Sequence, residues 1–218
     1  MSKKVAVILS GCGFLDGAEI RESVLTLLHL DAAGAEVTIF APNKKQHHVV
    51  NHLDSNEAGE ERNILEEAAR IARCKVSPLT ELNANDFEAL FIPGGFGVAK
   101  NLCSFAFDGS GASIDETVQK VINDFYASQK AIGALCIAPA LLALCLGDKG
   151  IKVTIGNDEG TAKEIEKTGA KHIECKASDC VVDTDHRIVT TPAYMYDSEK
   201  LHHINQGIEK CVRKTLEF

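Results

Sequence analysis

Nothing in this 218-residue chain offers a membrane span, a zinc-type cysteine pair or a basic stripe for nucleic acid. The longest apolar run, Leu135 to Leu146, falls short of the ~20 residues needed to cross a bilayer. Lysine and arginine total 23 against 31 acidic residues, a formal net charge of -8. No Lys/Arg cluster is interleaved with aromatics, which argues against electrostatic capture of nucleic acid. The eight cysteines, at positions 12, 74, 103, 136, 145, 175, 180 and 211, include no Cys-x-x-Cys pair. That excludes both a zinc pattern and a compact disulfide framework, and a reducing, cytoplasmic setting is the simplest reading. Met1-Ser2-Lys3-Lys4 leads straight into a strand, with no apolar h-region or cleavage site before it.

What is present is an alternation of strands and helices. Val5 to Leu9 is a continuous apolar run bounded by polar residues and glycine, as in a strand buried on both faces. A helix is predicted from about Ala18 to Ala33, with Ile20, Val24, Leu27 and Leu28 as its apolar stripe and Gly34 as its stop. Glu36 to Phe40 is the second strand. The polar, His-rich segment Lys44 to Glu60 is long for a simple connection and is expected to be a functional loop or insertion. Arg62 to Ala72 is helical, Phe87 to Ile92 is the third core strand, and Ile114 to Tyr126 is again helical. A strand entering Cys136 turns into an apolar helix, Val153 to Ile155 is expected as the fifth strand, and Thr161 to Lys167 as a helix. Cys180 to Asp183 and Arg187 to Thr191 form a C-terminal β-hairpin, and a last helix covers about Ser198 to Leu216. This order predicts one α/β domain over residues 1–218, with a mostly parallel sheet and helices on both faces. Ligands of such sheets bind beyond the carboxyl ends of the strands.

Three segments converge on that edge. The first is Ser10-Gly11-Cys12-Gly13-Phe14-Leu15-Asp16-Gly17. It fails the dinucleotide fingerprint, because Asp16 stands at the third glycine position and Phe40-Ala41-Pro42-Asn43 offers no acid for a ribose, so no nucleotide cofactor is expected. The second is Pro93-Gly94-Gly95-Phe96-Gly97. Its amides at Gly94 and Gly95 are expected to supply half of an oxyanion hole, with the N–H of Ile137 as the other half; a ligand-free tight turn is the plainer alternative. The third is the corner at Cys136, where the positive end of a helix favours a thiolate and a nucleophile elbow presents its reactive atom. The other seven cysteines are read as inert small hydrophobes. Glu19, in the first turn of the first helix, is either a carboxylate that stabilises the helix terminus or an acid facing Cys136. His47, His48, His52, His202 and His203 lack metal-ligand spacing, so no metal is expected.

Several of these motifs resemble the ElbB-type ("enhancing lycopene biosynthesis" or sigma-cross-reacting) proteins of the ThiJ/PfpI class I glutamine amidotransferase-like superfamily. The shared stretches are Ile8-Leu9-Ser10-Gly11-Cys12-Gly13, Asp16-Gly17-Ala18-Glu19-Ile20, Ile92 to Leu102, Cys136-Ile137-Ala138-Pro139-Ala140 and Thr190 to Met195, in the same order along essentially the whole chain. The resemblance implies a flavodoxin-like three-layer sandwich, often dimeric. It implies an elbow nucleophile at Cys136, a glutamate at Glu19 hydrogen-bonded to it, and oxyanion contacts at Gly95 and Ile137. It further implies a cofactor-independent glyoxalase-like activity, glyoxal to glycolate, with deglycation and a link to isoprenoid pathways. One departure matters. Ile137 follows the cysteine, and Gly156-Asn157-Asp158 follows the fifth strand, so no Cys-His dyad stands in its usual place.

The expected chemistry is therefore addition of Cys136 to a small reactive aldehyde, with Glu19 moving the proton. A redox sensor using the same cysteine is the alternative. A glutaminase-type amidotransferase ranks below both for want of a base, unless His52 or His186 supplies one. Whether Arg62, Asn63 and the Lys44–Glu60 segment complete or cover the site is a question for the structure.

Overall fold

The computed structural model describes residues 2–218. The strands are β1 (Lys4–Ile8), β2 (Glu36–Ala41), β3 (Ser77–Pro78), β4 (Ala89–Ile92), β5 (Ala131–Leu135), β6 (Lys152–Val153), β7 (Lys171–His172), β8 (Val181–Asp183) and β9 (Ile188–Thr191). The helices are α1 (Ile20–Ala32), α2 (Ile64–Ile71), α3 (Phe105–Asp108), α4 (Glu116–Ala127), α5 (Ala138–Leu146), α6 (Glu159–Lys167) and α7 (Leu201–Leu216). Seven strands form one sheet in the order β3-β2-β1-β4-β5-β9-β8, parallel throughout except for the β8–β9 hairpin.

Strand alternation divides the interior into two cores. Val5 and Val7 of β1 and Leu9 just beyond it, with Ala89 and Phe91 of β4, pack against α1, α2 and α7. Ala6, Ile8, Leu90 and Ile92 point the other way, toward α4, α5 and α6. Side chains that alternate across a pleat and are apolar on both faces need a helical layer on each side, which gives the flavodoxin-like three-layer α/β sandwich. The chain runs outward from β1 to β2 and β3, then crosses back to β4 and β5. The order therefore reverses between β1 and β4, and the loops after β1, β4 and β5 open side by side at the carboxyl edge.

Two expectations about elements are corrected. Val153 to Ile155 is not a strand of the main sheet. β6 pairs instead with β7 in a separate two-stranded sheet, Lys152 opposite Lys171, because Thr190 and Asp183 of the hairpin hold the backbone of Thr154 and Lys152 through side-chain oxygens at 2.9 and 2.7 Å. The stripe of α1 is also largely inverted, Leu27 alone of its four residues packing against the core. Ile20, Val24 and Leu28 are about half exposed, while Glu22, Ser23, Thr26 and Leu30 are buried. The helix enters with Glu19 N–H donating to Gly94 O at 2.9 Å, and that anchor turns its polar face toward the sheet.

Candidate active site

β5 is buried along its whole length and ends where the Cys136 N–H donates to Thr191 O at 2.9 Å, the last rung toward β9. Cys136 itself has φ +59°. A non-glycine residue held in the left-handed region stores strain, which its surroundings must enforce. The chain then enters α5, which has no side-chain N-cap and carries Pro139 in its first turn. The amides of Ile137 and Gly95 are consequently free to point at the Cys136 sulfur. Gly94 is held against the same group: a Cβ there would collide with Cys136 Cβ and come within 2.7 Å of Glu22 Oε2. Only glycine allows the β4 turn to approach so closely.

The acid beside the thiol is Glu22, not Glu19. The Glu22 carboxyl is fully buried and pairs with the Cys136 thiol. Its Oε2 accepts the Gly94 N–H at 2.8 Å and its Oε1 the Tyr194 N–H at 3.1 Å. Glu19 is the N-cap of α1, with Oε2 accepting the Glu22 N–H at 2.6 Å. The reason is geometric. An N-cap side chain folds back over the first turn to satisfy a free amide, and the sheet-facing position belongs to the residue three further on. The plainer reading of Glu19, a carboxylate at the helix terminus, describes what it does.

Burial sets the electrostatics. It pushes the Glu22 carboxyl from 4.5 up to about 8, helped by the charge on Glu19 and opposed by the two amides. Burial also pushes the Cys136 thiol well above the ordinary range. The Glu22 carboxyl adds to this, and the Gly95 and Ile137 amides only partly offset it. The acidic thiolate expected from the helix terminus is thus overruled by desolvation. The pair keeps its protons at neutral pH. When it gives one up, the charge has two seats, each facing two backbone N–H donors: the sulfur or the carboxylate.

Other residues considered from sequence lie elsewhere. His186 bonds Asp183 Oδ2 through Nδ1 at 2.8 Å in the turn before β9. Its neighbour Arg187 O accepts from Ile132 N, at the amino end of β5 and so at the opposite edge of the sheet from Cys136. His52 Nε2 accepts the Leu15 N–H at 3.2 Å and its Nδ1 lies 3.0 Å from Val50 O. Asn63 caps α2, and Arg62 pairs with Glu60 and Glu67. The Lys44–Glu60 segment folds over the β1–α1 turn, where Val50 N–H donates to Asp16 Oδ2 at 2.7 Å. None of these groups bonds Cys136 or Glu22. Among the described residues no cluster of three or more His, Cys, Asp or Glu is arranged to hold a metal ion, and no helix is long and apolar enough to cross a membrane. Two surface hollows, of about 480 and 610 Å³, border α7 and the β2 edge, and Cys136 lines neither.

The DJ-1/PfpI family model matches residues 3–200. The chain belongs to the DJ-1/PfpI family. Within and around that family, it is 44% identical over 225 residues to the "ES1 protein homolog, mitochondrial" of Rattus norvegicus, covering 99% of this chain and 84% of the relative. It is equally similar to the human "Glutamine amidotransferase-like class 1 domain-containing protein 3, mitochondrial", covering 99% and 83%. The crystal structure of an isoprenoid biosynthesis protein with an amidotransferase-like domain from Ehrlichia chaffeensis superposes with a TM-score of 0.91 at 40% identity, covering 98% and 99% of the two chains. Drosophila melanogaster DJ-1beta, at 20% identity and a TM-score of 0.54, shares the fold. The DJ-1/PfpI family includes glyoxalase- or deglycase-type enzymes as well as non-catalytic members.

Proposed function

We propose that this DJ-1/PfpI protein is a cofactor-independent glyoxalase of ElbB type, acting on a small reactive aldehyde through Cys136 and Glu22. The observation that carries the reading is the Glu22 carboxyl, buried against the thiol with each oxygen fixed by a backbone N–H. The sulfur adds to one carbonyl of glyoxal, and its proton passes to the new hydroxyl of the hemithioacetal. Gly95 and Ile137 amides steady the developing oxyanion. Glu22, acting in its carboxylate form after giving up its own proton to solvent, removes the proton from the carbon bearing sulfur and returns it to the neighbouring carbon, so the first carbon is oxidised and the second reduced. Water then cleaves the resulting thioester to glycolate and frees the thiol. The recessed position of Cys136, a residue only 7% exposed, suits a substrate of a few heavy atoms.

Glycolate formation from glyoxal tests this. Cys136→Ala abolishes turnover. Glu22→Gln lowers it ~10²–10⁴-fold, the usual worth of a positioned acid–base group, whereas Glu19→Gln stays within about threefold of wild type. Undiminished turnover in Cys136→Ala overturns the proposal. A redox-sensing role has its own support: a carboxyl that retains its proton to about 8 can donate a hydrogen bond to a sulfenate or sulfinate oxygen on Cys136. Peroxide titration read by peptide mass distinguishes it, since a sensor oxidises at Cys136 before the other cysteines.

A further inference from the structure

Three of the five buried side-chain atoms that lack a hydrogen-bond partner among the described residues belong to the β1–α1 turn and the segment folded over it: Ser10 Oγ, Asp16 Oδ1 and Gln46 Oε1. Their residues are only 1%, 2% and 3% exposed. Burying polar atoms without partners is costly, and such groups call for a physical explanation. They surround the turn after β1, whose glycines form a cradle. A Cβ on Gly11 would lie 3.1 Å from Gln46 Oε1 and 3.2 Å from Gly17 Cα, and one on Gly13 would lie 2.6 Å from the His52 ring and 3.1 Å from Asp16 Oδ1. Asn101 Nδ2 ties the two ends of the turn by donating to Ser10 O and Asp16 O, each at 2.9 Å.

The neighbouring donors bond other acceptors. Asp16 Oδ2 takes the Val50 N–H, and Gln46 Nε2 donates to His48 O at 2.7 Å. His52 Nε2 lies 3.9 Å from Asp16 Oδ1, but its lone pair accepts the Leu15 N–H, so the ring proton sits on Nδ1 toward Val50 O. The Lys100 ammonium donates to Leu15 O at 2.9 Å and lies over the Phe96 ring, and the Arg62 guanidinium is held by Glu60 and Glu67. What remains is one carboxylate oxygen, one amide oxygen and one hydroxyl, a hard oxygen set with no nitrogen or sulfur ligand in it.

We propose that the β1–α1 turn and the segment folded over it enclose a binding site for a small monovalent cation, ammonium or an alkali ion, held by Asp16 Oδ1, Gln46 Oε1 and Ser10 Oγ. Such an ion supplies the missing charge and partners together. It also locks residues 46–52 onto the first turn, since Gln46 and the Val50 partner Asp16 both bind it.

The test is thermal melting of the full chain at constant ionic strength, starting in tetramethylammonium chloride and replacing it with ammonium, potassium or sodium chloride. A cation too large for the cradle serves as the baseline. The expected result is a saturable rise in Tm of about 3 °C or more at tenfold excess over Kd for at least one small ion. Which salt produces it separates ammonium from alkali ions. The rise disappears in Asp16→Asn and in Gln46→Met and persists in Cys136→Ala. Equal melting in all four chlorides overturns the proposal, as does a saturable rise that survives in Gln46→Met, a variant close enough in shape to fold if Asp16→Asn does not. The glyoxal assay plays no part in this readout, so the two proposals fail separately.

Discussion

Glu22 and Cys136 hold their protons because both are desolvated, and this has consequences for pH. The native carboxyl titrates near 8 against an ordinary 4.5, so between those values the folded state binds a proton that the unfolded chain has released. Stability tied to this group is complete below pH 4.5 and drains away as pH rises through 8, by up to about 1.4 kcal/mol per pH unit. Urea titrations of wild type and Glu22→Gln from pH 5 to 9 should converge or cross as pH rises, with the variant's slope the flatter. The same retention of protons predicts that alkylation of Cys136 by iodoacetamide accelerates through and beyond pH 8. A rate already at its plateau by pH 6 would contradict the assigned proton inventory. Cys136 was legible from sequence because strand, cysteine and helix follow one another without a gap. Glu22 was hidden by Ile20, Val24 and Leu28, whose spacing reads as a core-facing stripe and places Glu22 on the solvent side. The signal available was the set Glu22, Ser23 and Thr26, small or polar residues on one side of the helix, which marks a face packed closely against another backbone.

At the scale of elements, the turn Pro93-Gly94-Gly95 joins β4 to both site residues, and it tolerates no side chain. Gly94→Ala would push a methyl into Cys136 Cβ and Glu22 Oε2. It is expected to destabilise the fold by about 1–3 kcal/mol, as overpacking does, and to slow Cys136 alkylation, measured by denaturant midpoint and by peptide mass. Most of the strand and helix order was readable, because apolar runs of four or five residues bounded by turn residues leave little ambiguity. β3 and the β6–β7 pair were not. Two-residue strands carry no periodicity, and Lys152 and Val153 pair with Lys171 and His172 only because the hairpin bearing Asp183 and Thr190 brings them there.

At the scale of the molecule, α1 presents its acid inward and three large apolar side chains outward. Ile20, Val24 and Leu28 lie at i, i+4 and i+8, along one line of the surface. Contiguous exposed apolar surface commonly marks an interface, and a second copy of the chain is the proposed partner. Val24→Lys with Leu28→Lys should then yield a monomer by light scattering where wild type is a dimer, while a monomeric wild type refutes the pairing. A different cost is borne by the fold as a whole through the φ of +59° at Cys136. Alanine there keeps the awkward backbone and discards the sulfur; glycine relaxes it. Cys136→Gly should therefore outlast Cys136→Ala on heating, by roughly 1 kcal/mol. That gap measures how much heat tolerance the protein forgoes in order to hold a sulfur atom at the tip of β5.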